Sequence, residues 1–235
     1  MKLNADIGEL TGSDIELMPY LSMGNIACGF HASTPRHMRE TVRLTKANGV
    51  SIGAHPSYPD RENFGRVSMS VTTDEVYDLI FGQVHLLTRI AASEGTKVDY
   101  LKPHGALYHD MMNDPDIYSA IVRIAAHFHL ELMTPALPDL KTYLEIALVR
   151  EVTIIREAFA DRAYTKDGQL APRSKANSLF TDADKIINQA SELISSNSLI
   201  CETGERIELQ ADTICLHGDN PASVVAASPI HQLLH

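Results

Sequence analysis

Short apolar runs recur along the chain at Leu3–Ile7, Asn25–Phe30, Val50–Ala54, Val98–Leu101, Leu130–Thr134, Thr153–Ile155 and Thr213–Leu216. Each is nearly continuous in apolar character and closes in a polar cluster, the pattern of strands buried on both faces. Segments with helical spacing follow most of them. Thr34-Pro35 opens one, with Thr as N-cap and Pro at the first position, and Gly49 closes it. Thr72-Thr73-Asp74-Glu75 reads as a capping box, followed by Val76, Leu79, Ile80, Val84, Leu87 and Ile90 up to Gly95. Asp114-Pro115 opens a third, with Ile117, Ile121, Ile124 and Phe128 on one face. Further helices are predicted over Pro138–Val149, Thr181–Ser195 and from Asn220-Pro221 onward.

Strands alternating with helices predict βαβ units and a mainly parallel sheet. Seven runs favour an α/β fold in which one domain over residues 1–235 forms a closed or nearly closed (β/α) barrel of about seven strands. An open doubly wound sheet is the alternative. Two connections are long, Pro56–Thr72 and Phe159–Phe180, and long connections in compact domains tend to carry function. Leu199–Glu202 and Arg206–Gln210 flank Thr203-Gly204-Glu205 as a small hairpin.

Composition narrows the function classes. With 44% hydrophobic and 21% charged residues in 235, the chain is an ordinary globular one. A net charge of −10 argues against nucleic acid or an anionic membrane as partner, while leaving room for a local cation cluster around a small anion. The three cysteines, Cys28, Cys201 and Cys215, form no CxxC pair and lie in apolar runs, so they are expected to be buried thiols. No apolar run approaches the roughly 20 residues that span a bilayer. The first nine residues include Asp6 and Glu9 and no apolar stretch, so no secretory leader and a cytoplasmic location are expected.

In either architecture the ligand site lies at the carboxyl ends of the strands. The polar residues there are Asn4, Asp6, Glu9, His31, His55, Lys102, His104, Arg156, Glu157, Asp161, Arg162, His217, Asp219 and Asn220. A barrel gathers them into one mouth, which supplies acid/base and anion-binding groups to one substrate. Asp6, His31, His55, His104 and His217 are also acceptable ligands for a transition metal, although their spacing is not diagnostic of one. Neither GxxxxGK[ST], GxGxxG nor GxSxG occurs, so a nucleotide would need a site built without a phosphate loop, and a serine nucleophile has little support.

The strand-end blocks carry more than composition. Asn4-Ala5-Asp6-Ile7-Gly8-Glu9, Asn25 through Ala32, Gly53-Ala54-His55-Pro56-Ser57-Tyr58-Pro59-Asp60, Asn63-Phe64-Gly65-Arg66, Lys102-Pro103-His104-Gly105-Ala106-Leu107-Tyr108, Glu157 through Tyr164, Pro172-Arg173-Ser174 and Cys215-Leu216-His217-Gly218-Asp219 resemble the LamB/YcsF family, in order and over nearly the whole chain. That family contains the A subunit of the bacterial ATP-dependent 5-oxoprolinase. The resemblance implies a seven-stranded (β/α) barrel of the sugar-deacetylase type. It also implies ATP-dependent opening of 5-oxoproline to glutamate, ADP and phosphate, together with partner B and C subunits. Where the family usually reads GFHAGDP, this chain has Gly29-Phe30-His31-Ala32-Ser33-Thr34-Pro35, which loses an acidic group.

On this reading Asp6, His31, His55, His104 and Glu157 are the catalytic candidates. Asn4, Glu9, Lys102, Asp161, Arg162, Arg173, His217 and Asp219 are candidates for holding substrate or ATP with Mg²⁺. A metal-dependent amide hydrolase acting alone and a lactam-binding protein without chemistry remain alternatives. Neither the lactam, the metal nor a homo-oligomeric state is set by the sequence.

Overall fold

The computed structural model describes residues 1–235. Its strands are β1 (Lys2–Ile7), β2 (Met23–Ala27), β3 (Ser51–His55), β4 (Tyr100–Leu101), β5 (Glu131–Pro135), β6 (Ile154–Phe159), β7 (Ser198–Ile200), β8 (Arg206–Glu208) and β9 (Thr213–Leu216). β1 to β6 and β9 close a parallel barrel, with β9 paired to both β1 and β6. β7 and β8 form the separate antiparallel hairpin. The helices are α1 (Asp14–Leu17), α2 (Pro35–Ala47), α3 (Thr73–Ser93), α4 (Gly105–Asn113), α5 (Pro115–His127), α6 (Lys141–Leu148), α7 (Ala183–Ser196) and α8 (Pro221–Leu233). No helix is long and apolar enough to cross a membrane.

The caps read from the sequence set several boundaries. Thr34 accepts the His37 N–H at 3.2 Å, so the cap of α2 is present without the family's acidic residue. Thr72 and Glu75 form the reciprocal box at the start of α3. Asp114 and Asn220 cap α5 and α8, each followed by Pro.

The barrel interior is layered because alternate strand residues share one face. Met23, Tyr100, Met133 and Ile155 form a buried apolar cluster. Tyr100 donates from it to Asn25 Oδ1 at 2.6 Å. Asn4 donates to Thr213 at 3.0 Å, and Asn25 donates to both Asn4 and Asp6 at 2.8 Å. Two residues further along their strands stand Asp6, Lys102, Glu157 and Cys215. The much larger apolar core of 56 buried residues, which includes the inner faces of the helices, surrounds this column. All three cysteines are buried and free.

Two strands differ from the expected bounds. β2 begins at Met23 and stops at Ala27, because Asn25 is satisfied inside the barrel while Phe30 turns out toward solvent. β6 runs on to Phe159, through Glu157, whose charge is met by Lys102. Helix α4 has no counterpart in the sequence reading, whose next helix after the fourth strand opens at Asp114-Pro115. Gly105 holds φ +59°, and a Cβ there would lie 2.3 Å from the Gly65 carbonyl oxygen. That oxygen accepts the Ala106 N–H at 2.9 Å. The contact pins the long connection after β3 against the start of α4.

Candidate functional site

A cavity of about 450 Å³ opens at the carboxyl ends of the barrel strands. It falls within the roughly 300–1,000 Å³ of small-molecule sites. Of the residues expected there, Asp6, Glu9, His55, Lys102, His104, Arg162, Arg173, His217 and Asp219 line it. Asn4, His31, Glu157 and Asp161 do not: they lie behind the lining and hold its members in place.

Lys102 is the hinge of the charge arrangement. Its ammonium lies 2.8 Å from Asp6 Oδ1 and 2.9 Å from Glu157 Oε1, the latter an ion pair without hydrogen-bond alignment. Burial alone would push the Lys102 pKa down. The negative charges around it, Asp6 foremost, outweigh burial and hold it well above the ordinary lysine value. Burial likewise favours the neutral form of Asp6, but the pull of His55 and of the Lys102 ammonium prevails and keeps its carboxyl well below the ordinary range. Glu157 is completed by Tyr108, whose hydroxyl donates to Oε2 at 2.7 Å. With both carboxylates already on it, Lys102 is not a free cation for a phosphate.

Three histidines and a carboxylate converge beside Asp6. Ligand-type atoms of Glu9, His31, His55 and His104 lie within 4.8 Å of one another. His55 Nε2 is 2.9 Å from His104 Nδ1 and 3.3 Å from Asp6 Oδ2. His31 Nε2 is 3.0 Å from Glu9 Oε1, and its Nδ1 is 2.9 Å from the Ser57 hydroxyl. The His31 and His104 rings stack in parallel with centroids 3.8 Å apart. Burial and then the Asp6 charge push the Glu9 carboxyl up to about 7. Burial, then the neighbouring histidines, lowers His31 to about 2 and His104 well below the ordinary value.

The lining is also cationic. Arg66, Arg162 and Arg173 all line the cavity. Arg162 spends Nε and Nη2 on the Ser178 and Ala171 carbonyls. Arg173 Nη2 donates to His217 Nε2 at 3.0 Å, and Arg66 reaches Asp219 at 3.3 Å. Burial, then Arg173, lowers Arg162 to about 10, and burial, then Arg66, lowers Arg173. Guanidinium groups that repel one another around a cavity form a site for an anion. His217 is oriented from behind: Asp161 accepts from its Nδ1 at 2.9 Å and also from Ser223 at 2.8 Å.

Arg66 and His109 line the cavity beyond the residues expected from the strand ends. Arg66 lies in the block Asn63-Phe64-Gly65-Arg66, which is the signal that points to it. His109 sits on α4, the helix absent from the sequence reading, and burial followed by Arg162 lowers its pKa.

A barrel mouth of this kind is common to many chemistries, and sequence kinship decides between families. The LamB/YcsF family model matches residues 1–235. The chain belongs to the LamB/YcsF family. It is similar to the 5-oxoprolinase A subunit of Vibrio parahaemolyticus, 43% identical over 240 residues, covering 100% of this chain and 96% of the relative. The protein of the same name in Vibrio cholerae is 42% identical over 239 residues, covering 100% and 97%. Among solved structures, the lactam utilization protein of Thermus thermophilus superposes with a TM-score of 0.89 at 36% identity, covering 100% of this chain and 95% of that one. As a LamB/YcsF chain it also has the closed seven-stranded barrel that the resemblance implied.

Proposed function

We propose that this chain is the A subunit of a 5-oxoprolinase, opening the lactam of 5-oxoproline to glutamate with ATP and water and working with partner B and C subunits. The observation that carries the reading is a set of three arginines that line one cavity together with an ionised carboxylate, Asp6. Such a set suits a substrate that is itself an anion and must be attacked by water. The names borne by the Vibrio and Thermus relatives support the same class of substrate.

A lactam is a poor electrophile because its nitrogen donates into the carbonyl. ATP supplies a phosphoryl group to the lactam oxygen, which makes the ring carbon electrophilic. One water adds there, the C–N bond breaks with the nitrogen leaving as the amine, and a second water releases phosphate from the acyl phosphate so formed. The residues fit an ATP-derived anion: Arg66 and Arg173 have only side-chain partners, which a ligand can replace, while Arg162 is fixed by backbone carbonyls and supplies a static positive wall. Asp219, whose side chain is 38% exposed, is the carboxylate placed for a nucleotide-bound Mg²⁺. Glu157 and Asp161 are fully engaged inside.

Asp6 accepts the proton of the attacking water. Lys102 and Asn25 hold its Oδ1, which leaves Oδ2, 3.3 Å from His55 Nε2, as the oxygen to take that proton. His217 faces the cavity with Nε2 and is fixed by Asp161; Nε2 accepts from Arg173 and carries no proton at rest, so once freed it can take a proton from water and relay it to the ring nitrogen as the C–N bond breaks. Arg173 must leave His217 for that step, and an anion drawing it away provides the cause.

The test is phosphate release from ATP on addition of 5-oxoproline, with the chain alone and with its B and C partners. Release with glutamate formed in step, seen only in the full mixture, is the expected result. No release in the complete mixture overturns the reading.

A further inference from the structure

The contact between His55 and His104 lacks a proton. His55 Nδ1 lies 2.8 Å from the Lys102 carbonyl oxygen, and His104 Nε2 lies 2.9 Å from the Phe64 carbonyl oxygen. Carbonyls only accept, so each ring carries its N–H on that outer nitrogen. The inner nitrogens, His55 Nε2 and His104 Nδ1, are then both lone pairs, and they face each other at 2.9 Å. Two acceptors at that distance repel unless a cation sits between them.

The surroundings call for positive charge. Glu9 Oε1 is 3.4 Å from His104 Nδ1 and 3.8 Å from His55 Nε2. Asp6 and Glu157 share the one ammonium of Lys102, and Glu9 has only histidines beside it. Two imidazoles with outward N–H groups fixed on carbonyls, converging with a carboxylate, form the ligand set of a zinc-class metal. Glu9, His55 and His104 all line the cavity, which gives such an ion an open side toward substrate.

His31 belongs to this cluster in another way. A metal bound through an imidazole lone pair lies near the plane of that ring. The His31 and His104 planes are parallel within 5° and stacked 3.8 Å apart, so an ion in the His104 plane is off the His31 plane. Ser57 gives its hydroxyl proton to the Tyr58 carbonyl at 2.9 Å, so His31 Nδ1–H donates to Ser57 Oγ and Nε2 shares one proton with Glu9 Oε1 at 3.0 Å, a proton held on the ring when Glu9 is ionised. His31 thus orients Glu9, as a positioning residue rather than a ligand.

We propose that Glu9, His55 and His104 bind a divalent first-row transition metal of the zinc class, with His31 orienting Glu9 and one side of the ion open to the cavity. The site goes beyond the 5-oxoprolinase reading, and its test uses neither nucleotide nor lactam.

The full chain is purified, its metal content is measured by mass spectrometry, and the chelated protein is titrated with Zn²⁺ and with Co²⁺ as spectroscopic probe. About one equivalent is expected, with Co²⁺ giving visible ligand-field bands of low-symmetry nitrogen and oxygen coordination. His55→Gln and His104→Gln should abolish those bands. His31→Asn should retain them while weakening affinity about 10- to 100-fold, the usual loss for an outer-shell partner. If His55→Gln fails to fold, the wild-type titration and the graded His31→Asn loss still decide. Failure of the wild type to take up either ion, or equal uptake by the His55→Gln and His104→Gln chains, overturns the proposal. In the first case the pair shares a proton instead. Phosphate release in the three-protein mixture can succeed or fail independently of this result.

Discussion

Lys102 and Glu157 form an ion pair 2.9 Å long in which both side chains are closed off from solvent. A buried pair adds little by existing, but breaking it leaves an uncompensated charge. Lys102→Met strands both Asp6 and Glu157, and should lower unfolding free energy by about 3–5 kcal/mol. Adding Glu157→Gln to the same chain removes one of the stranded charges and should recover part of that loss. Denaturant unfolding of the two variants checks both statements.

Asp6→Asn tests the water step. Asn keeps an oxygen toward Lys102 and Glu157 still answers the ammonium, so the fold should survive. Turnover in the three-protein mixture should fall about 10²- to 10⁴-fold, the usual span for a lost acid/base group. Comparable turnover in mutant and wild type would remove Asp6 from the chemistry.

Arg173→Gln tests the anion wall. A charge-assisted hydrogen bond is worth roughly 1.5–3 kcal/mol, so the apparent KM of the anionic substrate it holds should rise about 10- to 150-fold. Steady-state kinetics with ATP and 5-oxoproline varied in turn show which substrate it meets. Binding unchanged for both would place the anion elsewhere.

Asp161 gives the protein an acid limb. Burial disfavours its charge, but the pull of His217 and the hydrogen bonds from His217 and Ser223 prevail and hold it at about 2, below the ordinary 3.8. A carboxyl whose pKa is depressed by folding stabilises the protein above the unfolded value and loses that contribution as pH falls through the folded one. Roughly 2 kcal/mol should therefore disappear between about pH 4 and pH 2. Asp161→Asn should be less stable at neutral pH and show a flatter acid limb in pH-dependent unfolding.

The seven strands and most helix starts are legible in the sequence because they depend on local chemistry: apolar runs for the strands, and Thr34, Thr72, Asp114 and Asn220 for the caps. The gathering of Asp6, Glu9, His55 and His104 follows from barrel topology once strand ends are recognised. Lys102 is legible as a cation at a strand end, but not as one already committed. Asp6 and Lys102 are separated by 96 residues, and no local pattern reports that distance closing to 2.8 Å. Arg66 and His109 escape for a related reason. They reach the mouth beside the Gly65–Gly105 contact, a tertiary fit that depends on a missing side chain.

β9 is the strand that touches both β1 and β6. A ribosome that has delivered residues 1–212 has made six barrel strands and left two of them with bare edges. Asn4 then lacks its Thr213 partner, and the mouth lacks His217. The residues that seal the wall are thus also among those that complete the site, so an incompletely synthesised chain is inactive and adhesive for one and the same reason.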